Sequence, residues 1–243
     1  MSDPLLEVTV LHARDVTGAQ EGGADRLHLV GDGVGHTGLS PEPAAVSAAC
    51  REAEVPVFVL LRLNDSWTTT GGELARLVGL AEDYLGCGAA GISFGFLDAD
   101  LEIDTEVCSH LTDALAGVPW TFHRAVDSTL DPRRSWRLLL DLPGLVAVCS
   151  AGSPQGMASG YDDLLATAES DPAVATLMMP GGGLLAEHVP WLLRAGVRQF
   201  HLGTQARPGA SYKSYVQADH VRSWRLLLDA AAARAHPSAG TAG

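Results

Sequence analysis

Short apolar, β-branched runs recur along the chain at near-regular intervals, at residues 5–10, 26–30, 57–62, 91–96, 120–124, 145–149, 175–179 and 199–202. Between most of them, apolar positions fall at helical spacing, over 42–54, 73–85, 106–115, 133–142, 162–169, 185–194 and 218–234. Short strand-like runs alternating with amphipathic stretches read as parallel β/α units. Eight units with no linker between them predict an α/β single domain, a closed (β/α)8 barrel, with an open doubly wound sheet as the alternative. The domain is expected over residues 1–236, with 237–243, small and turn-forming, as a disordered tail. One octad, RSWRLLLD, stands at 134–141 and again at 222–229, as expected of two outer helices that meet the same packing task.

Strands of a parallel barrel are buried on both faces and should read as unbroken Val, Ile and Leu, so the polar exceptions carry information. Glu7 and Thr9 share a face of the first run, and His28 sits in the second. Arg62 ends the third, Thr121 and His123 share a face of the fifth, and His201 lies near the end of the eighth. A buried charge is costly unless paired. Barrel sites collect side chains from the C-terminal ends of different strands. Glu7, His28, Arg62, His123 and His201 are therefore expected to converge on an acid/base and anion-binding site. The alternative for each is a satisfied buried network, for example Glu7 paired with Arg62. The seventh run ends in Pro180-Gly181-Gly182-Gly183 and the eighth in Gly203-Thr204, loops whose backbone N–H groups can hold an anion such as phosphate. The Gly-rich stretch 31–41 is expected to be a mobile lid or an ordinary connector.

Composition narrows the partners. Hydrophobic residues at 47% and charged residues at 19% support a sizeable core and exclude global disorder. A net charge of −13 excludes nucleic acid and anionic membrane as main partners and leaves a small ligand, with room for a homodimer. Lys213 is the only lysine and follows the last strand-like run, outside the strand interior where a Schiff-base lysine sits. No Gly-rich loop ends in Gly-Lys-Ser/Thr. An anion in the site therefore falls to Arg62, Arg124, the histidines or backbone N–H groups. Cys50, Cys87, Cys108 and Cys149 are far apart and form no C-x-x-C pair, as expected of free thiols in a reducing compartment. The start Met1-Ser2-Asp3-Pro4 lacks a signal-peptide pattern, and a cytoplasmic protein is expected.

Several segments in order along residues 6–201 resemble one family. They are Leu6-Glu7, Gly23-Ala24-Asp25-Arg26-Leu27, Thr37-Gly38-Leu39-Ser40-Pro41, Arg62, the Gly91, Gly95 and Leu97 spacing, Thr121-Phe122-His123-Arg124-Ala125 with Asp127, Gly181-Gly182-Gly183 and His201. The chain resembles the CutC family. The resemblance implies a TIM barrel and a role in copper homeostasis, with copper as the implied ion. It adds Asp127 to Glu7, Arg62 and His123 as catalytic candidates. His28, Arg124, Gly181, Gly182, Gly183, His201 and Thr204 stand as ligand-binding candidates. The chain departs from the family pattern where a cysteine often follows the glutamate of the first strand. Here 8–12 reads Val-Thr-Val-Leu-His, without the sulfur that copper(I) prefers. No metal-ligand set follows from the sequence. Three readings stand: a copper-handling protein, an acid/base enzyme for a small anionic metabolite, and a barrel kept as a scaffold.

Overall fold

The computed structural model describes residues 3–31, 38–115 and 117–235. Eight parallel strands run as β1 Leu5–Val10, β2 Arg26–Leu29, β3 Val57–Leu60, β4 Gly91–Phe94, β5 Trp120–Phe122, β6 Leu145–Ser150, β7 Met178–Pro180 and β8 Gln199–Leu202. The helices are α1 Ala13–Glu21, α2 Pro43–Glu52, α3 Gly71–Gly86, α4 Thr105–Ala114, α5 Pro132–Leu140, α6 Met157–Ser170, α7 Pro172–Leu177, α8 Val189–Arg194 and α9 Ala218–Ala235. The sheet order β7-β6-β5-β4-β3-β2-β1-β8 is that of a nearly closed (β/α)8 barrel, as the sequence predicts. At the seam, β7 and β8 pack side by side. The Gln199 side chain spans it, donating to the carbonyls of Val146 at 2.9 Å and Thr176 at 3.3 Å.

The apolar core lies between strands and helices. Leu6, Val8, Leu27, Leu29, Val57, Val59, Phe200 and Leu202 point outward into it. The alternate residues point inward, and there the strands carry their polar side chains. Ala147, Cys149 and Met179 form a separate small apolar cluster. Three sequence expectations are revised. α1 is a full helix although it buries only Asp15, Val16 and Ala19, too few apolar positions to show as a stripe. Residues 175–177 are helical, because Asp171 caps the backbone N–H of Ala173 and Pro172 opens the turn of α7. Arg62 and His123 fall just past the ends of β3 and β5. The stretch 32–37, which holds most of the expected lid, and the tail 237–243 lie outside the described residues. Among the described residues no helix is long and apolar enough to cross a membrane.

Candidate functional site

The period of two along a strand brings Glu7 and Thr9, Arg26 and His28, and His201 to the inside of the barrel. Glu7, Thr9, His28 and His201 line a cavity of about 370 Å³ at the strand C-termini, together with His123, Arg124, Cys149, Gly182, Gly183, Thr204 and Tyr212.

Glu7 anchors the cavity floor. Its Oε2 accepts from Arg26 Nε, and its Oε1 accepts from His201 Nδ1 at 2.8 Å. The β1–β2 register sets this pairing, since Glu7 stands opposite Arg26 on one side and His201 on the other. Burial alone would raise the Glu7 carboxyl, but Arg26 and His201 outweigh it and hold it well below the usual carboxylate range. His201 Nε2 lies 2.9 Å from Thr9 Oγ1, closing a Glu7–His201–Thr9 chain. Arg26 also reaches Met179 Sδ at 3.2 Å and stacks 4.7 Å above the Phe58 ring. Glu7 thus pairs with Arg26, not Arg62.

His28 and His123 differ in kind. Each has a buried Nε2 with no hydrogen-bond partner among the described residues. Burial pushes His28 down to about 4 and His123 down to about 3, with Arg62 adding to the effect on His123. Both rings are neutral at pH 7. His123 Nδ1 accepts the backbone N–H of Ala125 at 3.2 Å, capping the turn Arg124–Ser128. The His28 and His201 rings meet edge-on at 5.6 Å, and Trp67 lies 5.1 Å from His123.

The two arginines have separate tasks. Arg62 stands outside the cavity wall. Its guanidinium donates to the carbonyl of Gly38 at 3.1 Å and lies 4.3 Å above the Trp67 ring, fastening two loops. Arg124 lines the cavity. Asp127 accepts from Arg124 Nε at 2.8 Å, from Ser150 Oγ at 2.6 Å and from the Ala151 N–H at 3.1 Å. Asp127 is therefore fully engaged and positions Arg124. Arg124 Nη2 donates to the Ser153 carbonyl at 2.9 Å, while its Nη1 has no partner among the described residues. The guanidinium lies against Gly182, where an added Cβ would meet it at 2.8 Å. Gly182 at φ +72 and Gly183 at φ +109 also require glycine for their backbone.

The glycine loops are half open. The Gly181 N–H donates to the Ser150 carbonyl and that of Gly203 to Gln205 Oε1. The N–H groups of Gly182, Gly183 and Thr204 have no acceptor among the described residues. Sequence reasoning missed Arg26, although Arg26 and His28 are two apart on a strand and so share a face. It also missed Tyr212, whose hydroxyl would lie 2.5 Å from a Cβ at Gly203 and whose loop gave no periodic signal. Lys213 is exposed, outside the cavity lining.

Glu7, His28 and His201 place one ligand atom each within 4.8 Å of one another, close enough for a metal ion. Their bonding does not fit one. Both Glu7 oxygens and both His201 nitrogens are occupied, and the Arg26 cation already neutralises the carboxylate. Cys149 is the one sulfur ligand lining the cavity besides Met179. Burial pushes the Cys149 thiol far up, away from the thiolate that copper(I) prefers.

Residues 4–206 match the model of the CutC family. A human copper homeostasis protein cutC homolog is 29% identical over 214 residues, covering 86% of this chain and 76% of that protein. A family protein CutC of Klebsiella pneumoniae is 27% identical over 235 residues, covering 91% of this chain and 92% of that protein. The solved structure of CutC from Streptococcus agalactiae superposes with a TM-score of 0.70 at 22% identity, covering 82% of this chain and 98% of that one.

Proposed function

The chain belongs to the CutC family, and from that premise we propose that it serves copper homeostasis by binding a small anionic molecule at the barrel mouth. The copper role is supported by the names of its relatives. The ligand class rests on one observation: Arg124 Nη1 and the N–H groups of Gly182, Gly183 and Thr204 have no partners among the described residues, beside a Glu7–His201–Arg26 cluster that is already neutralised. Unpaired amides beside a guanidinium suit a carboxylate or phosphate.

Inorganic phosphate titrated into ¹⁵N-labelled protein is expected to shift the amides of Gly182, Gly183 and Thr204. Gly182→Ala should weaken that binding at least about tenfold, because its Cβ displaces Arg124 and its φ is strained. Amides that stay still would remove the anion site. Copper retained one-to-one against a competing chelator, and lost in His28→Ala and His201→Ala, would instead establish a resident ion. Deletion of the gene should alter copper tolerance, and unaltered tolerance would sink the homeostatic role.

A second reading, an acid/base enzyme for such an anion, is favoured by a separate observation. Two neutral histidines, His28 and His123, each with a buried and unpartnered Nε2, line the same cavity as the Glu7–His201–Thr9 chain.

A further inference from the structure

We propose that His123 is a neutral hydrogen-bond donor locked in one tautomer, and that with His201, oriented by Glu7, it enolises a small anionic carbonyl compound. This rests on the anion-binding reading above and names its chemistry.

The lock follows from one bond. The Ala125 N–H can only donate, so the nitrogen it meets, His123 Nδ1, must carry the lone pair. The single proton of a neutral ring then sits on Nε2. That N–H lies buried in the cavity wall with no acceptor among the described residues. Protonating the ring would set two N–H groups against each other at Nδ1. It would also add a cation beside the Arg62 guanidinium. The charged form is therefore excluded by geometry as well as by burial. A neutral imidazole held this way polarises a carbonyl without giving up its proton.

His201 is the complement. Glu7 is an acceptor only, so Nδ1 of His201 donates to it, and in the neutral ring Nε2 is the acceptor that now meets Thr9 Oγ1. A ligand anchored by its anionic end at Arg124 and Gly182 would present its carbonyl oxygen to His123 Nε2–H. Its neighbouring C–H would face His201 Nε2 once the Thr9 hydroxyl turns aside. The C–H proton passes to His201 Nε2, the bonding pair forms C=C, and the oxygen takes the charge under the His123 N–H. The proton on His201 Nε2 exchanges with solvent, and its return to the same carbon restores the carbonyl with solvent hydrogen in place. The step needs no oxidant, reductant or co-reactant.

The test uses the full chain with pyruvate and dihydroxyacetone phosphate as probes, in D₂O, reading loss of the C–H signal by ¹H NMR. Exchange above buffer is expected with at least one probe. His123→Asn keeps the Ala125 cap, since Asn is a preferred N-cap, but withdraws the cavity donor. It should slow exchange about 10²-fold, the usual loss of one oxyanion donor. His201→Gln should abolish exchange. In parallel, ¹⁵N shifts should show His123 as the Nε2–H tautomer, unchanged between about pH 5 and 8. A His123 that titrates in that range, an Nδ1–H tautomer, exchange with neither probe, or undiminished exchange in His123→Asn each overturns the proposal. If phosphate moves the Gly182 and Gly183 amides while any of these holds, the anion site stands and this inference alone falls. If phosphate moves neither amide, both fall.

Discussion

Burial sets the charge of His28 and His123, and folding inherits a pH dependence from it. Their folded values, about 4 and about 3, lie below the unfolded histidine value of about 6.5. Between those limits the unfolded chain binds more protons than the folded one. Stability therefore rises with pH through that window, is complete above it, and is lost as pH falls. Each histidine contributes up to about 1.4 kcal/mol per pH unit. Glu7 adds a second, more acidic window. Its folded value is depressed, so its contribution is present above the unfolded carboxylate value of about 4.3 and drains away below it. Urea unfolding at pH 7.5, 6.0 and 5.0 should show a falling midpoint. The double variant His28→Gln/His123→Asn should flatten that fall, and an unchanged slope would mean that these rings are charged in the folded state.

Elements are tied to the site by a second buried pair. Arg207, between β8 and α9, donates to both carboxylate oxygens of Asp15 on α1, at 3.2 and 2.7 Å, and to the Thr9 carbonyl at 3.1 Å. Asp15 also accepts the N–H groups of Leu11 and Val216 at 2.9 Å each. Arg207→Met would leave the buried Asp15 carboxyl without its cation, and is expected to destabilise by about 3–5 kcal/mol. Asp15→Asn in the same background should recover part of the loss in thermal or chemical denaturation. No recovery would show that Arg207 matters through its other contacts, the Thr9 and Ser214 carbonyls and the Tyr212 ring. The pair also shows where sequence reading stops. β1 and β8 were legible to the residue, because alternating inward and outward positions mark a strand. α1 was not legible, because its buried face is built on Asp15, whose partner comes from the other end of the chain. The apolar letters of 175–177 suit a strand or a helix, and Asp171-Pro172 was the signal that decided for the helix. Among site residues, Glu7, His28, His123 and His201 were legible as polar breaks in apolar runs, but their partners were not. Whether Glu7 met Arg26 or Arg62 depended on strand register, which periodicity does not encode.

At the scale of the whole molecule, eight regular repeats were enough to foresee a barrel, but not how it closes. Seven neighbouring strand pairs share ladders, while β7, only three residues long, leans on β8 across the seam. Gln199 crosses this gap with its side chain, and its Oε1 lies 3.5 Å from Arg26 Nη2, so the seam and the Glu7 cluster share one network. A three-residue strand with few ladder bonds opens before one paired on both sides. Backbone amides of Met178 and Met179 should therefore exchange faster with solvent than those of 57–60 in β3. Gln199→Ala removes two side-chain hydrogen bonds to backbone carbonyls and should lower stability by about 1–3 kcal/mol. The added exchange should concentrate in β7 and α7 and spare β3. Uniform acceleration would show that the barrel opens as one unit and that the seam is no weaker than its ladders. Acceleration confined to the seam would place the loop Gly181–Gly183, which follows β7 directly, on the most yielding part of the barrel, where a bound anion tightens it most.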